Sequence, residues 1–125
     1  MLTSYYASKK LDRTRHYLVR TSIGAPRFLK CDDSCLELAP KREWIGLPEP
    51  EYKVHYLQKL ESLGAAKITE LLQELETRAT LQNKTPVLLC YEALHPHQVA
   101  EGQFCHRRLF AEWFEKETGR VLGEL

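Results

Sequence analysis

The chain has 125 residues, 43% hydrophobic and 28% charged, enough for one sizeable core and too few for two. Those proportions exclude an intrinsically disordered chain, and a formal net charge of +1 excludes the global basic field that draws proteins onto nucleic acid. No apolar run approaches the roughly eighteen residues of a spanning helix, and Met1 to Tyr6 lack the basic and apolar regions of a signal peptide. A cytoplasmic protein with no membrane contact is therefore expected, and a nucleic-acid partner is not.

Leu2 to Ala7, rich in aromatic and hydroxyl residues, predicts a first short strand. A charged connection over residues 8–15 leads to His16–Ile23, whose β-branched content predicts a second strand, stopped by Gly24-Ala25-Pro26. Arg27 to Leu47 reads as a long connection, with one possible helical turn before Pro40 and with Trp44 and Ile45 pinning it to the body. Pro48-Glu49-Pro50 opens a helix that carries Tyr52, Tyr56, Leu60 and Leu63 and ends at Gly64. A second helix places Ile68, Leu71, Leu72 and Leu75 on one face. Residues 82–85 turn into Val87-Leu88-Leu89-Cys90, an apolar run of the kind buried on both faces in parallel sheets. The last helix is expected from about Phe104 to Glu117, closed by Thr118-Gly119, with Arg120-Val121-Leu122 as a final strand. This order predicts a single compact, Rossmann-like, three-layer α/β domain with a short, mainly parallel sheet.

The chemistry gathers where the apolar strand ends and the last helix begins. On a wheel of about 100° per residue, Leu109, Phe110, Trp113 and Phe114 share an apolar stripe with His106 one turn earlier. Arg107 lies at the stripe's edge, as an anion clamp at the helix N-terminus, and Arg108 lies outside, within reach of Glu112. Cys105 is either a nucleophile with a stabilised thiolate or a small packed residue. His106 is either an acid/base group or a core histidine donating to a carbonyl. Glu92 could serve as base, meet a ligand hydroxyl or neutralise Arg107.

All four cysteines, at 31, 35, 90 and 105, are expected as free thiols, because a reducing compartment and an adequate core make bridges unnecessary. No metal or cofactor is expected: the spacings of the cysteines with His95, His97 and His106 match no standard zinc arrangement.

Several strings occur together: Thr3-Ser4-Tyr5-Tyr6-Ala7, Ser22-Ile23 with Pro26, Leu38-Ala39-Pro40, the Tyr52 and Tyr56 helix, Leu88-Leu89-Cys90-Tyr91-Glu92, and Phe104-Cys105-His106-Arg107-Arg108 with Ala111-Glu112-Trp113. In this the chain resembles the DUF488 family of small bacterial and phage proteins, over nearly its whole length. The Cys-Tyr-Glu and Cys-His-Arg pair is the most specific part. The resemblance implies a compact Rossmann-like fold and an intracellular protein, without a settled activity. The loop between Glu92 and Phe104, with His95 and His97, and the Cys31 and Cys35 pair depart from the family pattern.

The expected function is binding of a phosphorylated small molecule, a nucleotide or ADP-ribose-like compound, at the strand carboxyl ends and the start of the last helix. In a phage-encoded chain that would sequester a nucleotide signal. The binding residues are expected among Thr3, Ser4, Tyr5, Tyr6, Ser22, Arg27, Tyr91, Glu92, Phe104, Cys105, His106 and Arg107. The alternative is a cysteine-dependent hydrolase or transferase acting on a nucleotide or modified base, with Cys105 as nucleophile and His106 or Glu92 moving protons. A protein-interaction scaffold is a third option.

Overall fold

The computed structural model of the chain describes residues 1–91 and 105–125. These form strands β1 (Leu2–Tyr5), β2 (His16–Arg20), β3 (Asp33–Ser34), β4 (Thr85–Cys90) and β5 (Gly123–Glu124). The helices are α1 (Glu49–Leu63), α2 (Ala65–Thr80) and α3 (His106–Thr118), with short 3-10 turns at Leu36–Leu38 and Arg42–Trp44. The strands make one sheet in the order β3-β2-β4-β1-β5, every neighbouring pair parallel. The expected α/β, Rossmann-like single domain is what the chain forms.

β4 lies at the centre because its side chains suit burial on both faces. Leu88 points into the helix-side core, whereas Val87 and Leu89 point to the opposite face. On the helix side, Tyr17, Val19 and Leu88 meet Tyr52, Tyr56 and Leu60 of α1, Ile68, Leu72 and Leu75 of α2, and Phe110 and Phe114 of α3. On the other side, Leu18, Val87 and Leu89 are covered by Tyr6, Leu11, Leu29, Cys31 and Leu125. The third layer is thus irregular chain, supplied among the described residues by the β1–β2 and β2–β3 connections and the C-terminal residue.

Gly64 joins α1 directly to α2 at φ +86°, a conformation that a side chain would strain, so a single residue can end one helix and start the next. Gly119 closes α3 in the left-handed region at φ +77°. No helix among the described residues is long and apolar enough to cross a membrane.

Several boundaries differ from the sequence expectation. β1 stops at Tyr5, where the chain turns back with Ser8 N–H donating to the Tyr5 carbonyl. β2 stops at Arg20, not Ile23: Thr21 still donates to the Leu89 carbonyl, but the Ser22 hydroxyl folds onto the Gly24 carbonyl and competes with the ladder. The last strand is residues 123–124, not 120–122. Arg120 N–H turns back to the Thr118 hydroxyl, and Leu122 is buried in the helix-side core before the sheet is reached. β3 was not expected. In the same connection Trp44 packs against the core and stacks on His55, whereas Ile45 is 67% exposed and pins nothing.

Candidate functional site

The connections leaving β1 and β2 cover one face of the sheet, whereas α3, the first described element after β4, packs on the other. Adjacent strands whose chains depart to opposite faces leave a crevice at their carboxyl ends, the place where open parallel sheets receive ligands. β4 is flanked by β1 and β2, so the carboxyl ends of these three strands lie side by side there. The side chains there separate into two groups, one per face.

On the helix face, Cys105 is the N-cap of α3 and lies against the end of β4. Cys90 and Cys105 are joined as a disulfide with their Cα atoms 7.4 Å apart. The expectation of four free thiols is corrected for this pair: the parallel sheet returns α3 over the strand end, so residues fifteen apart in sequence become neighbours. Cys31 and Cys35 are free. Burial pushes the Cys35 thiol up to about 12 and also raises that of Cys31, so neither resembles an activated thiolate.

His106 points inward, as its wheel position predicts. Its Nε2 lies 2.8 Å from the Thr21 carbonyl oxygen, and Nδ1 lies 3.9 Å from Cys105 Sγ. A carbonyl can only accept, so Nε2 carries the proton and Nδ1 keeps a lone pair. Burial lowers the His106 pKa to about 4, the carbonyl bond opposing and nearby Arg107 adding to the shift, so the ring is neutral near pH 7. The edge of its ring meets Tyr56, whose hydroxyl donates to the Leu38 carbonyl at 2.7 Å. Sulfur atoms of Cys90 and Cys105 and a ring nitrogen of His106 all fall within 4.8 Å of one another, a set able to hold a metal ion.

Arg107 is only 2% exposed. Its Nε donates to Glu124 Oε1 at 2.7 Å, Nη2 lies 3.3 Å from Oε2, and Nη1 lies 2.9 Å from Cys90 Sγ. Thr3 joins the same network by donating to Glu124 Oε1 at 2.9 Å. The guanidinium expected to clamp a ligand anion is therefore engaged by a carboxylate of β5. Arg108 is exposed, as its wheel position predicts, but the described residues show no ion pair between it and Glu112. Both line a cavity of about 180 Å³ beside Thr3, Glu115, Leu122 and Glu124.

On the opposite face, Ser4 of β1, Leu89 of β4 and Arg20 of β2 stand side by side in one row of the parallel ladder. Two buried side-chain atoms lack a hydrogen-bond partner among the described residues, Ser4 Oγ and Arg20 Nε, and they flank Leu89 in that row. Tyr6 follows directly, its ring edge-on to Tyr91 at 4.9 Å between centroids. The Ser22 hydroxyl donates to the Gly24 carbonyl, so the 2.6 Å contact between Tyr6 and Ser22 has the phenol as donor. Burial raises Tyr6 to about 12, against the Ser22 bond, and keeps the phenol protonated. Tyr91 is 51% exposed, with its hydroxyl near Gly24.

Of the residues anticipated, Ser4, Tyr6, Ser22 and Tyr91 collect on the loop-covered face, and Cys105, His106 and Arg107 on the helix face. Thr3 sits away from the crevice in the Glu124 network, Tyr5 alternates to the face opposite Ser4, and Arg27 is exposed on the β2–β3 connection. Glu92, Phe104, His95 and His97 lie outside the described residues. The sequence reasoning missed Arg20, Thr21, Cys90 as the partner of Cys105, and Glu124. For Arg20 a signal existed, since a charge two positions after Leu18 in a strand falls on the same face as that buried leucine. The chain matches no protein-family model, no curated protein and no solved structure.

Proposed function

We propose that the protein binds a phosphorylated small molecule of the nucleotide or ADP-ribose class in the crevice at the strand carboxyl ends. The observation that carries this is the row Ser4-Leu89-Arg20, with two buried polar atoms unpartnered at the edge of the crevice. A buried donor without an acceptor is costly, on the order of 1–3 kcal/mol, and a ligand oxygen at Arg20 would offset that cost. Arg20 replaces Arg107 as the anion's partner because Glu124 holds Arg107. The exposed ring of Tyr91 offers a stacking surface for a base, next to Tyr6, whose phenol meets the Ser22 hydroxyl.

Calorimetric titration with a panel of nucleotides and ADP-ribose derivatives tests the proposal. A binder is expected, and Arg20→Gln should weaken it by about ten- to a hundredfold, the range of a charge-assisted hydrogen bond, while leaving the fold intact. A panel with neither heat nor thermal shift would remove the proposal.

A cysteine-dependent hydrolase or transferase is favoured by one contact, His106 Nδ1 at 3.9 Å from Cys105 Sγ, across which a proton could pass once the pair is reduced. This reading expects Cys105 in the reduced protein to react with iodoacetamide faster than an ordinary thiol. A rate no faster than that of a free cysteine would count against it.

A further inference from the structure

We propose that in the reduced protein Cys90, Cys105 and His106 form a zinc(II) site with one coordination position left open. The three side chains are buried and their donor atoms already lie within 4.8 Å of one another. They come from the end of the central strand and the first turn of α3, elements whose packing fixes their separation.

The surrounding contacts are those of a metal-ligating imidazole and thiolate. His106 commits its Nε2 proton to the Thr21 carbonyl at 2.8 Å, which orients the ring and leaves Nδ1 as the free lone pair on the cysteine side. A carbonyl holding the far nitrogen is the usual outer-shell partner of a ligating histidine. Arg107 Nη1, at 2.9 Å from Cys90 Sγ, would donate to a bound thiolate, and Glu124 in turn orients the guanidinium.

The backbone spacing points the same way. The Cα atoms of Cys90 and Cys105 are 7.4 Å apart, beyond the 4.4–6.8 Å that disulfides usually span. Two thiolates on one tetrahedral zinc, each about 2.3 Å from the metal, lie about 3.8 Å from each other, a separation that a wider backbone suits. Two sulfurs and one imidazole select a borderline-soft ion over calcium or magnesium, which take oxygen ligands. Three protein ligands leave a position for water or a ligand atom, the arrangement of catalytic rather than structural zinc.

Formation balances simply. A dithiol reduces the Cys90–Cys105 bond, donating two electrons and two protons and becoming a disulfide itself. Zinc(II) then displaces the two thiol protons to solvent, and His106 enters neutral. The site uses neither Arg20 nor Ser4, so it stands or falls apart from the ligand proposed above. A bound metal would, however, occupy the lone pairs that the nucleophile reading requires.

The test uses the full chain, reduced with a dithiol, desalted without oxygen and titrated with zinc(II) against a chromogenic chelator. One tightly held zinc per chain is expected, with loss of most of the iodoacetamide alkylation of Cys90 and Cys105 seen in chelator-treated protein, as mapped by mass spectrometry, because a thiolate bound to metal is not available as nucleophile. Cys31 should alkylate equally in both samples. Cys105→Ser and His106→Gln should lose the bound zinc, and Cys31→Ser should keep it. A fully reduced chain that retains no zinc, retains it with Cys90 and Cys105 unprotected, or retains it in both ligand variants would overturn the proposal. The protection measurement needs no variant, so a misfolded mutant does not leave the question open.

Discussion

Arg107 is the largest fully buried side chain among the described residues, and its burial requires a countercharge. Glu124 supplies it through contacts at 2.7 and 3.3 Å. Glu124→Gln keeps the shape but takes the charge from the carboxylate that meets Nε and Nη2, so the variant should lose about 1–3 kcal/mol, measured by urea unfolding at pH 7. The figure sits below the cost of breaking a fully buried pair because the Glu124 side chain is 37% exposed. A midpoint equal to that of the wild type would show that other contacts hold Arg107. The inward aim of His106 and the difference between Arg107 and Arg108 were legible from helical angles alone. Glu124 was not, because a two-residue strand at the far edge of the sheet carries no periodicity to read.

At the scale of elements, Asp33 fastens β3 to α2. Its carboxylate accepts from Arg78 Nε at 2.6 Å and from the Tyr17 hydroxyl at 2.9 Å. Burial works against the charge, but the Ser34 amide, Arg78 and Tyr17 prevail and hold the carboxyl below its ordinary range. The folded state thus binds this proton less readily than the unfolded chain. The stabilisation is complete above the unfolded value, about pH 4, and disappears as pH falls through the lower folded value. Since the Arg78 side chain is 47% exposed, Arg78→Gln should cost only about 0.5–1 kcal/mol at pH 7. It should also flatten the loss of stability below pH 4, as read from thermal melts across the acid range; superimposable acid profiles would contradict the assignment. The three helices were readable because apolar residues recur with the helical period and because Pro50, Gly64 and Gly119 mark ends. β3 was not, since two residues, Asp33 and Ser34, pair with β2 only because the chain is returned to that edge.

At the scale of the molecule, stability rests on β4, the central strand, which packs on both faces and separates the two groups of candidate residues. Leu88 meets the helix-side core from the middle of the sheet with 1% exposure. Leu88→Ala should therefore destabilise the whole domain by about 2–5 kcal/mol in one cooperative transition. A loss under about 1 kcal/mol would mean that the helices can collapse into the space, as poorly constrained sites do.

By itself the sequence determined the α/β class, the central buried strand, the three helices and the concentration of chemistry between that strand and the last helix. These follow from period, apolar content and stop residues, which act over a few positions of chain. Only the tertiary structure decided that Cys90 meets Cys105, that Arg107 meets Glu124, and that Arg20 and Ser4 flank Leu89 with unpartnered buried atoms. Each of those facts depends on which strands are neighbours and on which face each connection crosses, and a parallel sheet sets both by packing contacts between residues far apart in sequence.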